Sequence, residues 1–215
     1  MIINPDDLNT KDTYKLLIGA VVPRPIAWVS TISSDGTPNL APFSFFSVAS
    51  RKPPILSISI GPGVGEREGT TKDTLVNILE QKEFVINITP ATLRNEMHRS
   101  SENFPSDVNE FEYTGLTPGE SEIVKSPRVE ESPISMECIL HDVIKLGEDH
   151  LVLGRVVRYH VNDELYEKGR INLAKLAPIG RLAGNYSLVD KIFSLPDDNS
   201  KEMLPKSVDS MREIK

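Results

Sequence analysis

PRPIAWVSTISSDGTPNLAPFSFFSVASRKPPILSIS, residues 23–59, decides the architecture of this 215-residue chain. Ile26 to Ile32 is apolar and β-branched until Ser30 and Thr31, which is the composition of a strand. Ser33-Ser34-Asp35-Gly36 then reads as a hairpin turn, because Asp-Gly supplies the positive φ angles that such a turn needs. The return strand is expected to start near Thr37 and soon meets Asn39-Leu40-Ala41-Pro42-Phe43-Ser44. Pro42 has no N–H to give to a ladder, so an edge, a bulge or an end must fall there. Backbone groups released from pairing need other partners. A flat heteroaromatic ligand edge with alternating donors and acceptors meets that need.

Outward from this segment, Tyr14 to Gly19 reads as a short helix or turn, and Pro54 to Ile60 alternates apolar with hydroxyl residues as a half-buried strand does. A glycine-rich loop, Gly61 to Gly69, follows. Thr71-Lys72-Asp73-Thr74 ahead of Leu75, Val76, Ile78 and Leu79 predicts a helix with a hydroxyl or Asp cap, placing Lys72 near its N-terminus, and Glu83 to Ile88 predicts the next strand. Thr92 to Ser101 reads as helical. Glu102 to Gly115 reads as a polar loop, the expected mobile segment. Ser135 to Val143 and Leu151 to Val161 read as a long hairpin turning at Leu146–Asp149. Residues 1–195 are taken as one domain and 196–215 as a charged tail. Many short strands with few helices point to a closed or nearly closed antiparallel barrel, which removes exposed edges.

A net charge of −7 speaks against nucleic acid as a partner, since phosphate binding over a large surface needs a basic face. No stretch reaches the roughly 20 apolar residues of a membrane span, and the first residues, MIINPDDLNTKD, lack a basic region followed by an apolar core; the expectation is a cytoplasmic protein with no membrane partner. Cys138 is the only cysteine, which excludes an internal disulfide and dithiol redox chemistry. A redox function would need a cofactor. The four histidines show no H-x-H or HExxH spacing, so no metal site is expected. Gly61-x-Gly63-x-Gly65 lacks the order and context of a phosphate loop and is read as a flexible loop. Trp28, the one tryptophan, has a core role by default, with stacking on a bound ligand ring as the other reading.

Four segments, in order, resemble the flavin reductase-like, FMN-binding split-barrel family, particularly its flavoredoxin-like branch. They are PRPIAWVST with DGTPNLAPFSFFS and Pro53-Pro54, then TTKDTLVNI, then GLTPGESEIVKSPRVEESPISMEC, and finally APIGRLAGNY. The resemblance implies a mainly β fold: a six-stranded antiparallel split β-barrel of Greek-key type with peripheral helices. It further implies a homodimer with FMN in a groove at the subunit interface.

Each site candidate has a structural reading beside the functional one. Ser30 and Thr31 either solvate a strand end or contact a phosphate or ribityl chain; in the family this position faces the cofactor. Asn39 bonds its own turn or a ring edge, and the resemblance favours the ligand. Backbone groups of Ala41, Pro42 and Phe43, with the hydroxyls of Ser44 and Ser47, are the candidates for ring and ribityl contacts. Lys72 and Thr74 stand where a helix N-terminus offers unpaired N–H donors and partial positive charge, and the resemblance turns a plain capping sequence into a phosphate site. Arg24, on a stiff segment between prolines, is a second phosphate clamp or a surface ion pair. Asn185 and Tyr186 pack at a dimer seam or contact the ring. No catalytic acid or base is assigned, because flavin chemistry requires none. The implied activity is transfer of electrons from NAD(P)H to bound or free flavin. The alternatives are an FMN electron carrier serving a protein partner, or a flavin-binding module without turnover.

Overall fold

The computed structural model describes residues 1–189, 191 and 192, so the tail from residue 196 lies outside the described residues. The main sheet contains β1 (Ala27–Ile32), β2 (Pro38–Phe43), β3 (Phe46–Arg51), β4 (Pro54–Ile60), β5 (Glu83–Ile88), β6 (Ile134–Leu146) and β7 (Asp149–Val161). All its ladders are antiparallel, in the order β2-β1-β5-β6-β7-β4-β3. Its two edge strands, β2 and β3, are separated in sequence by Ser44 and Phe45 alone. Chain continuity therefore brings the edges together, and the sheet curls into a barrel left open along the β2/β3 seam. This is the expected mainly β split barrel with peripheral helices. It has seven strands where six were expected. The extra one, β3, is rich in serine and largely exposed, so its sequence carries no burial pattern to reveal it.

Alternation along the strands separates two cores. Ala27, Val29, Phe43, Leu56, Ile58, Phe84, Ile86, Cys138 and Val152 fill the barrel, joined by Leu75 and Ile78 of α2 (Asp73–Gln81). The opposite face of β1 and β2 presents Trp28 and Leu40 to an outer core with Met97 and Phe111. Trp28 is fully buried there and donates its indole N–H to Ser100 Oγ at 2.9 Å. That is the core role expected by default.

The segment expected to be a polar loop, Glu102 to Gly115, is partly helical. After α1 (Thr10–Ala20) and α2, α3 (Arg94–Arg99) is followed by α4 (Glu110–Thr114), which opens on Asn109 as a side-chain cap and closes on Gly115 at φ 77°. Phe111 anchors it in the outer core. The long hairpin extends a few residues further than expected, because β6 and β7 remain paired from Ile134↔Val161 to Leu146↔Asp149. Short strands β8 (Ile179–Arg181) and β9 (Tyr186–Leu188) close the chain's described part, with α5 (Leu173–Leu176) before them. Among the described residues no helix is long and apolar enough to cross a membrane.

Candidate functional site

The β1/β2 register sets Ala27, Val29 and Thr31 opposite Phe43, Ala41 and Asn39. Directly opposed residues share a face, and this face is the one that lines the barrel. At its polar end Thr31 and Asn39 meet α2: Asn77 Nδ2 donates to Thr31 Oγ1 at 3.0 Å, and Thr74 Oγ1 donates to Asn39 Oδ1 at 3.4 Å. Asn39 is only 7% exposed, and its Nδ2 has no partner among the described residues. A buried amide donor left unpaired costs about 1–3 kcal/mol. Its position between Thr31 and α2 is suited to an acceptor supplied by a ligand.

Lys72 occupies the N-cap of α2, and no side chain caps the helix. Its carbonyl accepts from Leu75 and Val76 N–H, which leaves the N–H groups of Asp73 and Thr74 without partners among the described residues. The Lys72 ammonium lies 5.6 Å from the Phe43 ring centroid. Burial, followed by the nearby Arg67 charge, lowers its pKa. The adjacent carboxylate of Asp73 does not relieve this, because it forms a two-pronged ion pair with Arg67, whose Nη1 also donates to the Phe104 carbonyl. Among the described residues a cation with no carboxylate partner thus belongs to the same helix N-terminus as two unpaired N–H donors and the helix dipole, which together are the donor set for a phosphate monoester.

Arg67 is presented by the glycine-rich loop, which is folded rather than free. Gly63 N–H bonds to Thr70 O, a Cβ on Gly63 would collide with the Arg67 carbonyl, and Asn103 Nδ2 donates to Val64 O. Beside α2 a polar cleft of about 220 Å3 is lined by Asp35, Asn39, Asp73, Asn77, Glu80 and Glu110 among others. Glu110 accepts from Leu40 N–H at 3.1 Å, and burial pushes its pKa up to about 7.

The structure gathers Thr31, Asn39, Ala41, Phe43, Lys72 and Thr74 along one face and the α2 N-terminus. Ser30 and Pro42 point the other way. The Ser30 hydroxyl is fully enclosed, donating to Pro127 O and accepting from Asn87 Nδ2. Ser47 is exposed on β3, where its carbonyl accepts from Ser57 Oγ. Arg24 is 6% exposed and ties the fold together: its guanidinium donates to the carbonyls of Ile18, Val21 and Leu182, and to Ser44 Oγ at 3.3 Å. Sequence reading missed Arg67, Asn77 and Glu110. Asn109 before and Gly115 after the short Glu110–Thr114 run, with Phe111 on it, signalled the helix that carries Glu110; nothing local signalled the Arg67–Asp73 pairing.

Residues 18–176 match the family model described as flavin reductase like domain. A protein of Aquifex aeolicus is 45% identical over 174 residues, covering 80% of this chain and 87% of its own. Among solved structures, nitrilotriacetate monooxygenase component B from Bacillus cereus superposes with a TM-score of 0.87 at 40% identity, covering 91% of this chain and 98% of its own. The 2-nitrobenzoate 2-nitroreductase NbaA of Pseudomonas fluorescens follows with a TM-score of 0.83 at 30% identity, covering 96% and 100%. The chain belongs to the flavin reductase-like family.

Proposed function

We propose that this protein binds FMN and works as a flavin oxidoreductase, taking electrons from NAD(P)H and passing them to bound or free flavin. The observation that carries the reading is the α2 N-terminus, which no side chain caps among the described residues and whose N-cap residue is Lys72. A single phosphate fits two free N–H groups and one ammonium, which favours FMN over a dinucleotide flavin. The unpaired Asn39 Nδ2 supports a ring or ribityl acceptor beside it. In this arrangement Lys72, with the N–H groups of Asp73 and Thr74, holds the phosphate. Asn39 and the backbone around Ala41 and Phe43 orient the ring, and Arg67 keeps the Asp73 carboxylate from competing for Lys72. Bound FMN supplies the two-electron chemistry, so the protein's task is to bind, orient and leave one ring face open. The names of the Bacillus cereus and Pseudomonas fluorescens neighbours, a monooxygenase component and a nitroreductase, support a redox role.

The same reading includes a homodimer. Tyr14, Leu16, Leu17, Val21 and Val22 on and after α1, with Phe45 and Val48, are exposed apolar residues. Tyr14 lies 6.4 Å from Phe45, so this surface reaches the β2/β3 seam and the edge of the candidate site.

Anaerobic stopped-flow absorbance after mixing FMN-loaded protein with NADH or NADPH tests the reading. Bleaching of the flavin band is expected. Absence of bleaching by either nicotinamide would leave an electron carrier served by a protein donor, and absence of FMN binding would refute the cofactor itself.

A further inference from the structure

Beyond the cofactor site, the described end of the chain builds a second cluster. The β8–β9 turn is closed by Leu182 N–H donating to Asn185 O at 2.9 Å, and its register sets Arg181 directly opposite Tyr186. The Arg181 guanidinium carbon lies 4.5 Å from the Tyr186 ring centroid. Tyr186 Oη is 3.3 Å from His98 Nδ1, and the two rings meet edge to face at 6.0 Å. Stacking occupies the flat face of a guanidinium and leaves its in-plane N–H fork free. That fork has no hydrogen-bond or ion-pair partner among the described residues. Arg94, four residues before His98 on α3, lies on the same side of that helix and adds positive charge to a chain whose net charge is −7.

The cluster is tied through Arg24 to the Phe43–Phe45 segment, which borders the backbone that the proposed function assigns to the flavin ring. Arg181 and Arg24 exchange both backbone hydrogen bonds, at 2.9 and 2.8 Å. The Arg24 guanidinium then reaches Leu182 O at 3.0 Å and Ser44 Oγ at 3.3 Å, spanning the distance between the hairpin and the Phe43–Phe45 segment. Gly180 lets the hairpin close on Pro23, whose Cβ would stand 2.8 Å from a Cβ at this position.

We propose that Arg181, Tyr186 and His98 form an oxyanion subsite for the phosphate or carboxylate of the second substrate, the compound that exchanges electrons with the flavin. This rests on the proposed function. Two compounds represent the two sources of that anion: ADP for the diphosphate of a nicotinamide donor, and benzoate for a carboxylate acceptor. Calorimetric titration of each into wild type, R181Q and H98Q, with and without FMN, reads the subsite directly.

At least one anion is expected to bind wild type, and R181Q is expected to weaken it about tenfold, the loss of a bidentate charge-assisted contact. H98Q should weaken it less, and FMN affinity should be unchanged in both variants. Loss of ADP assigns the subsite to the donor; loss of benzoate assigns it to the acceptor. Wild type that binds neither anion, or variants that both bind as tightly as wild type, would overturn the proposal. Wild type that binds ADP but not FMN would refute the cofactor reading while leaving the subsite standing.

Discussion

Replacing Lys72 by methionine tests the proposed phosphate contact apart from every other proposed contribution to flavin binding. The substitution retains an apolar stem over the Phe43 ring, which the ammonium approaches to 5.6 Å, and removes only the charge. A charge-assisted hydrogen bond contributes about 1.5–3 kcal/mol, so FMN should bind roughly 12- to 160-fold more weakly. Part of the affinity survives, because the N–H groups of Asp73 and Thr74 and the α2 dipole remain. Riboflavin, which lacks the phosphate, should change little. Flavin fluorescence titrations of both ligands measure the ratio, and raised salt should narrow it. The free protein supplies a second readout. Burial and the Arg67 charge lower the Lys72 pKa, so the charged form is disfavoured in the fold. Stability of wild type should therefore rise with pH as Lys72 loses its proton, below the ordinary lysine range. Lys72→Met should lack that rise and be no less stable near neutrality. FMN and riboflavin weakened by the same factor would refute the phosphate assignment.

Glu110 gives the opposite pH behaviour. Its pKa of about 7 lies above the ordinary carboxylate value, so the unfolded chain ionises first, and stability should fall as pH rises from about 4.5 to 7, by up to ~3 kcal/mol. Glu110→Gln keeps an acceptor for Leu40 N–H and should flatten the decline, as denaturant unfolding at pH 5 and pH 8 will show. Burial alone would raise the Glu137 pKa, but hydrogen bonds from His160 and from the N–H groups of Glu122, Ile123 and Val124 hold it below the ordinary value. Its contribution is therefore present above about pH 4.5 and is lost in more acid solution. Glu137→Gln should cost about 1–3 kcal/mol, a fall in Tm of roughly 2 to 12 °C by calorimetry. Leu17→Glu places a charge on the exposed apolar side of α1 and should shift sedimentation equilibrium toward monomer; a monomeric wild type with full FMN affinity would refute the shared groove.

Much of the barrel could be read from the sequence because its signals are local. The Asp35-Gly36 turn, the Val/Ile-rich strands and Pro42 on an edge strand each follow from one residue's backbone preference. β3 escaped because Ser47, Val48, Ala49 and Ser50 show no alternation that burial would impose. Its pairing with β4 is fixed by backbone hydrogen bonds, and its edge position by chain continuity with β2. Glu110 escaped for a different reason. Its hydrogen-bond donor, Leu40 N–H, lies 70 residues away in sequence, and no local pattern shows such a partner.

Site residues divide along the same line. Ser30 and Thr31 are adjacent hydroxyls at the end of one strand, and composition treats them alike. A strand sends neighbours to opposite faces, so a single step decides between a hydroxyl enclosed by Pro127 and Asn87 and one that meets α2 beside Asn39. The β1/β2 register, set by the five-residue connection at 33–37, chooses which. Moving that register by one residue would bring Ser30 to the barrel side and bury Thr31 in the outer core. Arg24 follows the same logic in three dimensions. Two prolines hold it stiffly, but the carbonyls of Ile18, Val21 and Leu182 converge on its guanidinium only after α1 and the β8–β9 hairpin have packed. That packing turns a candidate phosphate clamp into the strut that fixes Arg181 beside Ser44. Stiffness near a site can therefore be read from sequence, whereas the partner of a stiff side chain is set by the fold.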